Sequence, residues 1–144
     1  MERSEKYAVA LIGTLDTKGH ECAFVAERIK EFGCSVVTVD AGVLGEPAFR
    51  ADISREEVAR AGGSSIEELR KRADRGYAVD TMARGVSLIV RRLYEEGRIS
   101  GVIGLGGSAG TTIGTAAMRA LPFGVPKVMV STLASGDTRP FVGT

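Results

Sequence analysis

Short apolar runs alternate with longer amphipathic stretches along this chain. Four runs rich in Val, Ile, Leu and Ala predict buried strands at residues 7–12, 35–40, 102–105 and 127–132. Between them, apolar residues recur every three or four positions, which predicts helices at residues 20–32, 54–61, 66–72, 77–96 and 112–120. Strands that alternate with helices favour right-handed crossovers and a parallel sheet. We therefore predict an α/β fold, a three-layer open sheet of mainly parallel strands with helices on both faces, Rossmann-like or flavodoxin-like.

The length and composition narrow the class of protein. A chain of 144 residues, 44% hydrophobic and 26% charged, fits one globular domain over residues 1–144. No apolar run approaches the roughly 20 residues that span a bilayer, and residues 1–6 lead straight into the first strand, so we expect no membrane contact and a cytoplasmic protein. A formal net charge of +1 gives no long-range attraction for nucleic acid. Any anion site must therefore be local.

The glycine-rich stretch between the third strand and the following helix gives the strongest local signal. Four glycines fall within seven residues, more than a tight turn needs: Gly104, Gly106, Gly107 and Gly110. Glycine lets a ligand approach backbone amides, and a helix start offers unpaired N–H groups and a positive dipole end. Hydroxyl donors there are Ser108, Thr111 and Thr112. The spacing fits neither G-x-G-x-x-G in full nor the P-loop, so a plain tight turn remains the alternative.

Two further polar loops follow predicted strands. The loop after the first strand, residues 13–19, has side chains that suit phosphate, Mg²⁺ or a ribose hydroxyl, or else an N-cap and a solvated charge: Thr14, Asp16, Thr17 and Lys18. The stretch after the fourth strand carries Ser131, Thr132, Ser135, Gly136 and Asp137. Because the carboxyl ends of parallel strands meet at one edge of a sheet, we predict one anion site shared by three loops, against the alternative of polar surface loops.

Four other polar residues give weaker signals. Asp40 ends the second strand, where an acidic residue can bind a ribose or simply begin a turn. His20 is assigned no role, because a lone histidine at a helix start is usually a surface residue. Cys22 and Cys34 have neither redox nor zinc spacing and are expected to be free thiols.

The least regular part of the sequence lies between the second strand and the longest helix. Residues 43–63 contain Gly and Pro and predict an irregular excursion, the region best suited to face a partner or form a lid. Basic residues at 70–75 stand among acidic neighbours, which favours a solvated helix face over a nucleic-acid patch. Gly85, inside the longest helix, has low helix propensity and predicts close packing against a neighbour.

Four stretches resemble a known family. The sequences IGTLDTKG (12–19), GVIGLGGSAGT (101–111), ALPFGVPKVMVST (120–132) and ASGDTRPFVGT (134–144) resemble the ATP-binding domain family named after the tomato mosaic virus resistance protein. The resemblance implies a nucleotide-binding domain at the start of a longer protein, ATP as the ligand, and in the plant member an inhibitory interaction with a viral replication protein. It implies ATP contacts for Gly106, Gly107, Ser108, Gly110 and Thr111, and also for Thr14, Asp16, Thr17, Lys18, Ser131, Thr132, Ser135, Gly136 and Asp137.

Two functions are compatible with these residues. The first is an ATP-binding or regulatory module, which needs no catalytic residue; the sequence shows no nucleophile and base pair and no metal-ligand spacing. The second is an enzyme that uses the phosphate site for ATP-dependent transfer or for a phosphorylated metabolite. In that case Asp16 and Asp137 bind Mg²⁺ or act as base, while Lys18 and Arg139 stabilise phosphoryl charge.

The expected partners beyond the nucleotide are a second copy of the chain or a C-terminal domain of its own. Residues 141–144 carry no further strand or helix pattern, which predicts the N-terminal fragment of a longer two-domain protein. Nucleotide domains of this kind often complete their sheet or site with another chain, so self-association is the alternative.

Overall fold

The computed structural model describes residues 7–142. Its strands are β1 (Ala8–Gly13), β2 (Ser35–Asp40), β3 (Gly101–Gly106) and β4 (Lys127–Ser131). Its helices are α1 (Gly19–Glu31), α2 (Arg55–Ala61), α3 (Ile66–Arg72), α4 (Arg75–Glu95) and α5 (Ser108–Arg119). Two 3-10 turns, Thr132–Ser135 and Arg139–Phe141, follow β4. The expectations for residues 1–6, 143 and 144 lie outside the described residues.

The four strands form one parallel sheet in the order β2-β1-β3-β4. The nearly continuous apolar sequence of β1 places it between β2 and β3, as predicted. From β1 the chain crosses to β2 on one side, whereas from β3 it crosses to β4 on the other. The connections that leave β1 and β3 therefore diverge, and such a point is where open α/β sheets bind ligands.

The alternating side chains of β1 divide the core in two. Ala10 and Ile12 belong to the larger core, which α2, α3, α4 and α5 cover. Leu11 points to the opposite face and joins a smaller core with Cys22 and Ala26 of α1. Helices thus cover both faces of a parallel sheet, and the predicted three-layer α/β fold is confirmed. No helix in the described part of the chain is long and apolar enough to cross a membrane.

The structure corrects two predicted boundaries, the start of α5 and the end of β4. Helix α5 begins at Ser108 rather than at residue 112, so Gly107 alone separates it from β3. The helix can start this early because Gly106 packs directly on its first turn, where an added Cβ would lie 2.6 Å from the Cα of Gly110. Strand β4 ends at Ser131, one residue earlier than predicted, because Thr132 already begins a 3-10 turn.

The outer edge of β2 is covered by the short segment that leads into α2. The Asp52 carboxylate accepts hydrogen bonds from the Thr38 amide at 2.8 Å and from the Thr38 hydroxyl at 3.0 Å. Ile53 forms a parallel bridge with Val39. Because backbone groups on this edge have partners, β2 does not offer an open edge for pairing.

Both cysteines are free thiols, as predicted. Cys22 is fully buried beneath Gly13, where an added Cβ would overlap its sulfur. Burial, together with the charges of Glu21 and Asp40, raises the pKa of the Cys22 thiol to about 11. The side chain therefore packs as a neutral group between α1 and β1.

The prediction that Gly85 packs closely against a neighbour is confirmed. Helix α4 continues through this glycine without a break. A Cβ added at Gly85 would overlap the carbonyl oxygen of Val58 in α2. We predict that Gly85→Ala lowers the free energy of unfolding by about 1–3 kcal/mol, since this overpacking outweighs the gain in helix propensity.

The matched control is Gly76→Ala on the same helix. There an added Cβ meets only the Asp74 carboxylate, at 3.6 Å. Gly76→Ala should leave stability unchanged or raise it by up to about 1 kcal/mol. Urea unfolding measures the free energy of unfolding of both variants. Equal values for the two would contradict the tight approach of α2 to α4.

Candidate functional site

A cleft of about 580 Å³ opens at the carboxyl edge of the sheet, where the connections from β1 and β3 diverge. Of the predicted site residues it brings together Thr14, Asp16, Thr17, Lys18, Gly107, Ser108 and Gly110. The other lining residues are Ala41, Gly42, Val43, Leu44, Leu69, Arg70, Ala73, Asp74, Arg75, Ala78, Val79, Met82, Ala109 and Ile113. The cleft thus joins the loops after β1, β2 and β3 with one wall made by α3 and α4.

Helix α5 begins in this cleft without a side-chain cap. The side chains of Ser54, Ser65 and Asp74 cap α2, α3 and α4 by accepting an amide hydrogen bond in each first turn. At α5 the capping position is Gly107, which has no side chain to do so. The first-turn amides of α5 have no acceptor within the helix, so they remain available to an anion in the cleft, which the helix dipole also favours.

Close packing explains three of the four clustered glycines. A Cβ at Gly104 would lie 2.8 Å from the Met129 sulfur, and a Cβ at Gly106 or Gly110 would press on the β3-α5 junction. A Cβ at Gly107 would meet only the Thr132 hydroxyl, at 3.6 Å. The number of glycines is therefore a property of packing. Gly107, which lines the cleft, is the one of these four glycines that packing does not explain.

The loop after β1 presents hydroxyls, a carboxylate and an ammonium to the cleft. The carbonyl of Thr14 accepts hydrogen bonds from the amides of Thr17 and Lys18, at 3.1 and 2.7 Å, which closes a tight turn. Asp16 Oδ2 accepts from the Gly45 amide at 3.0 Å. Asp16 Oδ1 is buried and, among the described residues, accepts no hydrogen bond. A bound cation or donor in the cleft would supply the missing partner.

Asp40 has a structural role, which decides between the two interpretations of that residue. It is 2% exposed, and its Oδ1 accepts hydrogen bonds from the amides of Leu15 at 3.1 Å and Gly42 at 2.8 Å. It does not line the cleft. Burial raises the pKa of the Asp40 carboxyl; the Asp16 charge adds to this, and the two amides and Arg55 partly offset it. Asp40 therefore ties the loop after β1 to the loop after β2, a geometry that supports the turn interpretation over the ribose one.

The excursion after β2 forms one wall of the cleft. Arg70 donates from Nε to the Val43 carbonyl at 2.7 Å and from Nη2 to the Leu44 carbonyl at 3.3 Å, and the buried Arg55 donates to the Gly45 carbonyl. The apolar side chains of this wall are Val43, Leu44, Leu69, Val79 and Met82. They were not among the predicted site residues. The irregular pattern of residues 43–63, which predicted a lid or a partner-facing region, covers Val43 and Leu44, whereas no sequence signal marked the three side chains on α3 and α4.

The stretch after β4 contributes less to the cleft than predicted. The Thr111 and Ser131 hydroxyls bond to each other at 2.5 Å, beneath the first turn of α5. Thr132 lies beside Gly107, but Ser131, Thr132, Ser135, Gly136 and Asp137 do not line the cleft. Neither do Gly106 and Thr111. The structure thus does not place the loop after β4 among the walls of the cleft, and ligand contacts by these residues remain predictions.

Asp137 and Arg139 pair with each other outside the cleft. Arg139 donates from Nε and Nη2 to the two carboxylate oxygens of Asp137, both at 2.8 Å, and both side chains are exposed. This pairing lowers the pKa of the Asp137 carboxyl. The two groups therefore neutralise each other away from the other polar residues of the site.

The raised pKa of Asp40 predicts a pH-dependent stability. A carboxyl that holds its proton more tightly when folded contributes stability below its ordinary pKa of 3.8, and that contribution is lost as pH rises through the folded value. We predict that wild-type protein loses stability relative to Asp40→Asn as pH rises above 3.8. Asparagine keeps the acceptor oxygen and cannot ionise.

Urea unfolding of both proteins between pH 3.5 and pH 7, about the range in which carboxyl groups titrate, measures this difference. Asp40→Ala should be less stable than Asp40→Asn at every pH, by about 1–3 kcal/mol for each of the two buried amides left without an acceptor, because neither variant ionises at this position. A wild-type protein that gains stability relative to Asp40→Asn with rising pH would contradict the raised pKa.

Comparison with known proteins adds the following. The family model described as "Uncharacterised protein family (UPF0261) N-terminal domain" matches residues 7–144. A UPF0261 protein of Clostridium tetani is 56% identical over 135 residues, which are 94% of this chain and 33% of that protein. A UPF0261 protein of Mesorhizobium japonicum is 43% identical over 134 residues, 93% of this chain and 33% of that protein. The chain therefore spans about a third of the length of the bacterial relatives that it matches.

A plant protein is also similar. The ToMV resistance protein Tm-1(GCR237) of Solanum lycopersicum is 34% identical over an alignment of 157 residues, which covers 99% of this chain and 21% of that protein. The resemblance noted from four sequence stretches is thereby supported at the level of sequence relationship.

Proposed function

We propose that this chain, which belongs to the UPF0261 family and matches the N-terminal domain of that family, is a nucleotide-binding domain with ATP as its ligand. The proposal combines the four stretches that resemble the ATP-binding domain family with the cleft between β1 and β3. In it, the domain acts as a binding or regulatory module of a longer protein, and ATP orders the loops that surround it.

The observation that carries the proposal is the uncapped start of α5. The amides of Ser108, Ala109 and Gly110 stand at the positive end of a helix dipole and line the cleft. Gly107 leaves open the volume in front of them. Lys18 and the Thr14 and Thr17 hydroxyls lie across the same cleft and can contact further phosphate oxygens. This end of the cleft suits the triphosphate.

The opposite wall suits the base. Val43, Leu44 and Val79 give this wall an apolar surface, and the volume of about 580 Å³ is in the range of small-molecule sites. Arg70 and Arg75 stand at its exposed rim, where their side chains can contact ribose or phosphate oxygens. A ligand with one anionic end and one flat apolar end therefore matches the two ends of the cleft.

Asp16 is the residue that would favour Mg²⁺ with the nucleotide. Its Oδ2 is held by Gly45, whereas its buried Oδ1 has no partner within residues 7–142. Carboxylate and phosphate oxygens are the ligands that Mg²⁺ usually takes in nucleotide sites. Within the described part of the chain, no three or more Asp, Glu, His or Cys side chains are grouped so that they could hold a metal ion. A magnesium ion would therefore depend on the nucleotide for most of its ligands.

We predict that Gly107→Val weakens ATP binding at least about tenfold, because the added side chain fills the space before the α5 amides. The fold should persist, since a Cβ there meets only the Thr132 hydroxyl at 3.6 Å. Isothermal titration calorimetry with ATP and Mg²⁺ measures the affinity, and thermal unfolding checks the fold.

Thr112→Val serves as the matched control for this titration. Thr112, which the sequence suggested as a hydroxyl donor, lies on the same helix but does not line the cleft, and its hydroxyl donates to the Ser108 carbonyl at 3.2 Å. Its affinity for ATP should equal that of the wild type. Equal affinities for wild type and Gly107→Val would contradict a phosphate site at α5.

A second candidate, an enzyme that transfers or releases phosphate, is favoured by one observation. Asp16 and Lys18 lie in the same cleft as the α5 amides, where they could hold Mg²⁺ and stabilise phosphoryl charge. Asp137 and Arg139 drop out of this scheme because they pair with each other outside the cleft. We predict that purified protein binds ATP without steady phosphate release. Steady release that Asp16→Asn abolishes would favour the enzyme instead.

A further inference from the structure

Strand β4 exposes two valines on the face of the sheet that carries α1. Val128 and Val130 are 53% and 51% exposed, whereas Met129 packs into the larger core on the opposite face. Val128 pairs in register with Ile103, and Val130 pairs with Leu105. Ile103 and Leu105 already belong to the smaller core. The three residues Ile103, Val128 and Val130, which we call the valine face, therefore continue that core into solvent.

Helix α1 does not reach far enough to cover the valine face. It packs on β1 and β2, and it is the one helix on this side of the sheet among residues 7–142. The other four helices all contribute to the larger core on the opposite side. One half of the sheet thus has a helix on each face, and the half formed by β3 and β4 has a helix on only one.

The handedness of the connections limits what can cover this surface. The crossovers from β2 to β3 and from β3 to β4 place α4 and α5 on the larger-core side. A further strand added beside β4 would be reached by a right-handed crossover on that same side. Within a strand-helix-strand unit of this sheet, a helix lies on the valine face when the chain turns back in the direction taken from β1 to β2; a helix that is not followed by another strand is free of this rule.

The length of the relatives supplies such a segment. The chain matches an N-terminal domain and spans 33% of the Clostridium tetani protein, so most of that relative follows the matched part. The last described turn is held beside α5, where Arg119 donates to the Phe141 carbonyl at 3.1 Å. Sequence beyond this turn would thus start on the α5 side of the sheet, near β4, and would have to pass around the edge at β4 to reach the valine face.

We propose that, in the full-length protein, a helix from the sequence that follows this domain packs on the valine face beside α1. The helix presents apolar side chains to Ile103, Val128 and Val130 and completes the third layer of the sheet. The helix that covers the valine face is therefore a segment of the same polypeptide. The inference does not depend on nucleotide binding, since the valine face lies on residues that do not line the cleft.

Thiol labelling of the full-length protein tests the proposal. Val128→Cys places a thiol on the valine face, and Phe123→Cys places one on the exposed connection before β4, where Phe123 has no cover in the domain. Mass spectrometry of the two peptides measures each labelling rate, so the natural cysteines do not interfere. We expect Cys at position 128 to react at least about tenfold more slowly than Cys at position 123.

Amide hydrogen exchange of residues 127–131 in the unsubstituted full-length protein gives a second measurement, in case Val128→Cys disturbs the fold. Similar labelling rates at the two positions, together with fast exchange in β4, would overturn the proposal. Protection that is lost on dilution would also overturn it, because the covering element would then be a second copy of the protein. Protection that is independent of concentration supports the covering helix.

Discussion

The parallel pairing of β1 with β3 is the constraint on which the rest of the structure depends. Four residue pairs, from Val9 with Gly101 to Ile12 with Gly104, join the two strands. The chain must then leave β1 and β3 in opposite directions, because β2 and β4 flank the pair on opposite sides. The space between the two departing connections cannot be filled by either of them, and it becomes the cleft. The position of the candidate site thus follows from strand order alone.

Side-chain hydrogen bonds then link the loops that border this space. Asp40 holds the loop after β1 to the loop after β2 through two amides, and Asp16 adds a third link to Gly45. Arg55 and Arg70 hold the carbonyls of the same loop. Burying the charged form of the Asp40 carboxyl costs free energy, and the raised pKa of this group reflects that cost. By contrast, no side chain caps the start of α5. The linked loops therefore surround first-turn amides that have no acceptor within the helix.

The sequence predicted the fold well and the site in part. Strand and helix positions follow from local hydrophobic patterns, which are strong in the continuous apolar run of β1 and in the helical periodicity of α4. The start of α5 was placed too late, because glycine is usually read as a helix breaker and Gly110 here packs on Leu105. The same close packing accounts for Gly104 and Gly106, whose number had suggested a ligand. Local rules cannot separate a glycine that makes room for a neighbouring strand from one that makes room for a ligand.

The residues that form the walls of the cleft were harder to predict from the sequence. Arg70 and Val79 reach the cleft because α3 and α4 fold back over the larger core, a long-range contact that no spacing reveals. Asp137 was predicted at the site from its position after a strand; it pairs with Arg139 and does not line the cleft, and its contact with a ligand stays a prediction. The polar loop after β1 was found because the end of a central parallel strand is a reliable location for function.

Amide chemical shifts during an ATP titration test the central claim most directly. Two-dimensional ¹H–¹⁵N spectra of the protein with Mg²⁺ report each backbone amide separately. A nucleotide in the cleft predicts saturable shifts that are largest at Ser108, Ala109 and Gly110. The amides of Glu57 and Glu68, which their own N-cap serines already bind, should not move. Saturable shifts confined to another surface, or no saturable shift at the start of α5, would contradict a nucleotide site in this cleft.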